Sequence, residues 1–183
     1  MVEPLLHLTV PFAALKAARL DWRTALFTSI VALIPDLDVL FHVHRSLTHS
    51  ILILALITLP ILALTHRNRT LRNLTLLGII GVLSHLALDL FSDYTPLLWP
   101  LLNESFWVST NLDVQLKSFP TLITSVKLLI KPTTFPTFQS LQAPLVTSTG
   151  VGISLLLLAP TLTEALVRHV HQPKSKSSAR THT

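Results

Sequence analysis

The chain has 183 residues, 50% hydrophobic and only 13% charged, where a soluble domain carries roughly 25% charged residues; its mean hydropathy is +0.59. That balance excludes an ordinary soluble domain and points to an integral membrane protein. The absence of cysteine excludes disulfides, thiolate metal sites and cysteine nucleophiles, and the net charge of +5 is too dispersed to form a nucleic-acid-binding stripe.

Five apolar segments follow one another along the chain. Residues 5–20 form the first, short and amphipathic. Glu3 stands where a basic leader region would be, so this segment is expected to be retained. Residues 24–41 form the second and residues 47–65 the third, almost wholly apolar around Pro60. Residues 73–91 form the fourth and residues 146–167 the fifth, which contains Pro160. The last three approach the ~20 apolar residues that cross a bilayer as a helix. The stretch 92–144 is irregular, with interfacial anchors at Trp99, Trp107 and Phe119. Within it, residues 122–130 read as a short helix lying on the membrane surface. The tail from 169 onward is basic and serine-rich, and disorder is expected there.

The predicted fold is therefore all-α: a polytopic membrane bundle of about four to five helices plus an interfacial helix. Its parts are a membrane core over 1–102, an interfacial or extramembrane segment over 103–145, a C-terminal membrane helix over 146–168 and a tail over 169–183. The charges suggest a topology. Lys16, Arg19 and Arg23, then Arg67, Arg69 and Arg72, then Arg168, Lys174, Lys176 and Arg180 fall on one side if the helices alternate. Arg45, Lys117, Lys127 and Lys131 fall on the other. Basic residues mark the cytoplasmic side, which predicts a multi-pass protein of the plasma (inner) membrane, with its N-terminus outside and its C-terminus in the cytoplasm.

The same alternation brings His7, Asp36, Asp38, His44, His49, His85 and Asp89 to one membrane depth, at the outer end of the helices. Aspartate and histidine are ligands for zinc and other transition metals, and ionisable groups beside membrane-grade apolar segments are costly to keep without a function. His85 and Asp89 lie four residues apart on one helix face, suited to chelating a metal or to Asp89 orienting the ring of His85. A helix-packing hydrogen bond is the plain alternative. Asp36 and Asp38 follow Pro35; a continuing helix would splay them about 200° apart, so one is a ligand unless the helix ends at the proline. Ser46 is placed to cap the third helix, with His49 in its first turn. Arg45 suits a substrate phosphate, or else an ion pair with Asp36 or Asp38. His7 would be structural on its own and enters only through its depth. His42 is ambiguous. The sequence contains no Gly-x-Ser-x-Gly elbow, Walker A loop or His-Glu-x-x-His motif.

Four ordered motifs carry a resemblance: Pro35-Asp36-Leu37-Asp38, then the His44-to-Ser50 run, then Gly81 to Asp89, then Pro96-Leu97-Leu98-Trp99-Pro100. Together they resemble the integral-membrane, metal-dependent hydrolases, some of them described as LexA-regulated inner-membrane proteins. An early histidine is usual there, and His7 fits. The resemblance covers roughly residues 5–102 and extends distantly to zinc-dependent phospholipase C and P1-type nucleases, helical enzymes that cleave phosphoesters with zinc held by histidine and aspartate. The chain departs from the pattern at Ser46, where glycine is common, and at Thr95-Pro96, where a glycine usually follows the tyrosine.

The function expected is that of a membrane-embedded hydrolase using a divalent metal, zinc first. Asp36, His49, His85 and Asp89 would be ligands, with His7 and Asp38 next. A carboxylate not fully used by metal, Asp38 or Asp89, would act as general base, and Arg45 would offset phosphate charge. The partners implied are the lipid bilayer and a phosphoester or lipid substrate, with no nucleic acid. The alternative is a metal-binding membrane protein without catalysis, a scaffold or transporter.

Overall fold

The computed structural model describes residues 3–43, 45–116, 119–135, 137–139 and 145–171. Helix α1 is Pro4–Ala17, opening on a proline whose missing N–H costs nothing in the first turn. Helix α2 is Trp22–Val31, capped by the Asp21 carboxylate, which accepts from the N–H groups of Arg23 and Thr24. It runs on into a 3-10 segment, Pro35–Phe41, where the ring of Pro35 ends the α-helical hydrogen-bond pattern.

A 3-10 turn, Leu47–His49, precedes α3, Ile51–Thr65. The cap of α3 is Ser50, not Ser46: the Ser50 hydroxyl accepts from the N–H of Leu52 and of Ile53. The Ser46 side chain turns instead to Asp38. Helix α4, Arg69–Ser92, is capped by Asn68. Two strands follow, β1 (Glu104–Leu116) and β2 (Pro120–Pro132), paired antiparallel from Glu104 opposite Pro132 to Leu116 opposite Pro120. Helix α5, Ser148–His171, closes the described chain.

The all-α expectation of four to five membrane helices is overturned on two counts. Residues 122–130 are strand, not interfacial helix. The stretch 121–126 is rich in β-branched side chains, and its partner strand alternates polar with apolar over residues 111–116, a period-2 pattern. Among the described residues, two helices are long and apolar enough to cross a membrane, Trp22–Phe41 and Arg69–Ser92. Helix α3 is apolar but has 15 residues, about 22 Å at the helical rise against a hydrocarbon core of ~30 Å. The expected disordered tail over 169–183 begins inside α5, and its part from 172 onward lies outside the described residues.

Burial is inside-out relative to a soluble domain. Leu64 is 85% exposed and Leu56 71%, while His49 and His85 are fully buried. The interior is lined by Thr28, Ser29, Asp38, His49, Ser50, His85, Asp89 and Thr95, with few large apolar side chains among them. Such a molecule is stable where its outside meets lipid and its polar groups satisfy one another within.

Small residues let α2 and α4 approach closely. Ala25, Thr28, Ser29 and Ala32 are all buried on α2, and Gly81 faces them from α4. A Cβ at Gly81 would stand 2.4 Å from the Thr28 carbonyl oxygen and 3.2 Å from the Ala32 nitrogen. One turn earlier, a Cβ at Gly78 would make an ordinary 3.6 Å contact with Val31. At the other side of the bundle, the buried Glu3 carboxylate accepts from both the N–H and the hydroxyl of Thr147. The Thr9 and Ser154 hydroxyls hydrogen-bond at 3.0 Å, so α5 is held to α1 by polar contacts at two levels.

Gly81→Ala is expected to force α2 from α4 and to cost about 1–3 kcal/mol, the usual penalty of overpacking. Gly78→Ala should leave the thermal midpoint in detergent nearly unchanged. Equal midpoints for the two variants would contradict the close approach.

Candidate metal centre

Four connections of the bundle deliver the site. His7 comes from the first turn of α1, Asp36 from the 3-10 segment after α2, His49 from the 3-10 turn before α3, and His85 and Asp89 from successive turns of α4. One ligand atom from each of Asp36, His49, His85 and Asp89 lies within 4.8 Å of all the others.

The distances define the shape. His49 Nε2 is 3.2 Å from His85 Nε2, 3.2 Å from Asp89 Oδ2 and 3.7 Å from Asp36 Oδ1. His85 Nε2 is 3.4 Å from Asp89 Oδ2 and 3.5 Å from Asp36 Oδ1. A tetrahedral zinc ion bound to nitrogen and oxygen at about 2.0–2.1 Å separates its ligand atoms by roughly 3.3–3.4 Å. Four of the six edges thus lie close to what a cation at the centre would impose, and the His49–Asp36 edge is somewhat longer at 3.7 Å. Two imidazole nitrogens facing each other in the interior also need a proton or a cation between them. Charge points the same way: the carboxylates of Asp36, Asp38 and Asp89 exceed the single positive charge of Arg45, which is shared with Asp93, and a cation would offset the excess. The residues present fit a divalent metal, and Asp36, His49, His85 and Asp89 could hold it.

The surrounding side chains hold these four. Asp38 Oδ2 accepts from the Ser46 N–H at 2.8 Å and hydroxyl at 3.0 Å, and from the Thr48 hydroxyl at 3.2 Å. The same oxygen is 3.4 Å from His49 Nδ1, on the ring edge away from the cluster. This is a carboxylate standing behind a metal-facing imidazole, the arrangement that fixes ring orientation in metal sites. Arg45 has a left-handed backbone, φ 55°, uncommon outside glycine. Its Nη2 donates to Asp89 Oδ1 and to Ser92 Oγ, each at 2.9 Å; its Nη1 donates to the Tyr94 carbonyl and lies 3.3 Å from Asp93 Oδ2. His7 stacks on the His85 ring at 3.9 Å, with its Nε2 3.6 Å from Asp89 Oδ1.

Of the sequence candidates, the structure brings Asp36, Asp38, His49, His85, Asp89, His7 and Arg45 together, in three positions. Asp36, His49, His85 and Asp89 form the cluster; Asp38 lies behind His49; His7 and Arg45 lie on the Asp89 side. Arg45 is paired with Asp89 and Asp93 rather than with Asp36 or Asp38. His42 is exposed beside Phe138, outside the cluster, and His44 lies outside the described residues. Sequence reasoning passed over Ser92, Asp93 and Thr48. Asp93 carried a readable signal, since it stands one helical turn beyond Asp89 as Asp89 does beyond His85.

Fold and cluster together define an integral membrane protein with a buried aspartate–histidine cluster that could bind a metal. The family described as YdjM inner membrane protein matches residues 3–166. The chain belongs to that family, which accords with the inner-membrane side of the motif resemblance. No curated protein and no solved structure matches.

His49 lies in the connection between the long helices and has a shifted proton affinity. Burial alone would lower its pKa, but the carboxylates of Asp36, Asp38 and Asp89 outweigh that and push it up to about 10. The stability this proton confers on the metal-free protein is complete below the ordinary imidazole value near 6.5 and is lost as pH rises through about 10. A metal entering the cluster must displace the proton. Zinc affinity is expected to rise about tenfold per pH unit across the neutral range, with one proton released per ion. Calorimetry in buffers of contrasting ionisation enthalpy measures this, and a pH-independent affinity would contradict it. Asp38→Asn should lower zinc affinity 10–100-fold, the usual effect of losing a carboxylate behind a ligand histidine.

Proposed function

We propose that this protein is a membrane-embedded, metal-dependent hydrolase acting on a phosphoester, a phospholipid or a lipid-linked phosphate, at the outer face of the inner membrane. The observation that carries the proposal is the convergence of two imidazole nitrogens and two carboxylate oxygens at near-tetrahedral spacing inside a bundle whose exterior is apolar. A divalent cation held there supplies Lewis acidity to a phosphoryl oxygen and to the attacking water.

The chain's own residues have distinct tasks in this reading. Asp36 is 19% exposed, while His49, His85 and Asp89 are buried. The cluster thus opens to solvent on the Asp36 side, where a substrate phosphate reaches it and where this carboxylate can accept a proton from water. Asp38, already accepting three hydrogen bonds, positions His49. Arg45 neutralises Asp89 and holds it in place; its fork is occupied by protein acceptors, so it acts on the phosphate through Asp89 rather than by direct contact.

The outer-face assignment rests on where the cations lie. Lys16, Arg19 and Arg23 flank the α1–α2 turn, and Arg67, Arg69 and Arg72 flank the α3–α4 turn. Both turns are at the opposite ends of these helices from the cluster, and clustered Lys and Arg favour the cytoplasm. The bilayer itself then supplies the substrate class, since a site at that depth meets headgroups.

One observation favours a second reading, a metal anchor without catalysis. Four protein ligands fill a tetrahedral ion, as in structural zinc sites, whereas catalytic sites keep a position open. Elemental analysis and turnover on the purified protein in lipid nanodiscs separate the two. The hydrolase reading expects about one divalent ion per chain, phosphoester cleavage, and joint loss of both in Asp36→Asn and His85→Ala. A metal-free wild type with an intact melting transition overturns both readings. Bound metal with no turnover on phospholipid and lipid-pyrophosphate substrates leaves the anchor.

A further inference from the structure

The hairpin of β1 and β2 has an asymmetry that the metal cluster does not use. Residues directly opposite in an antiparallel pair share a face. The register places Leu112 opposite Thr124, Val114 opposite Leu122, Val108 opposite Leu128 and Thr110 opposite Val126. One face of the ribbon is therefore almost wholly apolar along its length. The other face pairs Ser109 with Lys127, Asn111 with Ser125 and Gln115 with Thr121.

The apolar face is uncovered. Leu112 is 67% exposed, Leu122 68%, Val126 65% and Leu128 60%. The chain touches the opposite face instead: Trp107 donates from its indole nitrogen to the Phe91 carbonyl and packs edge-on against Tyr94, and Lys131 sits over the Tyr94 ring. Strands of 13 residues reach about 44 Å at the strand rise, so the distal half runs well beyond these contacts.

We infer that this ribbon is a membrane-interface element whose apolar face rests on the acyl–headgroup boundary of the bilayer. Three observations choose lipid as the occupant. The hairpin is the next element after α4, one of the two membrane-length helices among the described residues, and the Trp107–Phe91 hydrogen bond ties its base to the end of that helix, so it starts at bilayer-surface level. The exposed Phe91 at the end of α4 and Leu101 in the connection continue the apolar surface from the helix towards the hairpin. The two strands pair only with each other as a sheet, so among the described residues their distal outer edges carry backbone groups without strand partners. Those groups exclude the ribbon from the hydrocarbon interior, where nothing can hydrogen-bond them, and suit the hydrated headgroup layer. Lys127 on the polar face adds attraction to anionic headgroups.

The chain has no cysteine, which makes the test direct. Single cysteines replace Val114 or Leu122 on the apolar face and Asp113 or Gln115 on the other. Each is labelled with an environment-sensitive fluorophore, in the full chain, with one copy per anionic-lipid nanodisc. Spin-labelled lipid is expected to quench positions 114 and 122 several-fold more than 113 and 115, and aqueous iodide the reverse. Val126→Cys and Leu128→Cys are alternates on the same face if a variant's melting transition is lost. Equal quenching at both faces overturns the inference. So does protection that appears only with two copies per disc and is accompanied by 114–114 cross-linking, which would assign the face to a second copy of the chain.

Discussion

A carboxylate buried inside a membrane bundle has no bulk water to solvate it, so Asp38 and Asp89 must find their donors or counter-charge within the protein. Much of the architecture follows from meeting that demand. Asp38 draws in the backbone and hydroxyl of Ser46 and the hydroxyl of Thr48, which shapes the turn that presents His49. Asp89 draws in Arg45, whose left-handed backbone and contacts to Ser92, Asp93 and Tyr94 tie the 45–49 connection to the end of α4. The negative charge that Arg45 leaves uncompensated is what would favour a cation in the cluster.

That demand is met only because the helices stand close and in register. The small-residue face of α2 against Gly81 sets how near Asp36 comes to His85, since both are carried on from that contact by short, stiff segments. Hydroxyl pairs such as Thr9 with Ser154 add directional contacts where apolar packing between helices gains little over contact with lipid. The interior is consequently polar and tightly specified, and the exterior apolar and tolerant.

The hairpin extends the same logic to the membrane surface. A ribbon with one apolar face is a liability in water and cannot be threaded through hydrocarbon because its edges are open. At the headgroup layer both features are satisfied. In the proposed hydrolase it would also lie near the level from which a lipid substrate approaches, since Trp107 at its base contacts Phe91 and Tyr94 beside Asp89 and Asp93.

The sequence by itself determined the membrane class and much of the site. Long apolar runs with few charges pointed to lipid-facing helices, and alternating helices place the ionisable groups at matching ends. Asp36, His49, His85 and Asp89 were readable for that reason, and His85 with Asp89 from helical spacing alone. Residues 122–130 were misread as an interfacial helix because they lack the clean period-2 alternation that 111–116 carry, and their strand shows itself only through pairing with that partner. The division of labour inside the cluster was decided by tertiary structure. The sequence ranked Asp36 before Asp38, but what places Asp36 in the cluster and Asp38 behind His49 is the 3-10 segment after Pro35. Spacing could not send Arg45 to Asp89 and Asp93, because that pairing joins residues more than 40 positions apart and exists only once the 45–49 connection folds back onto the end of α4.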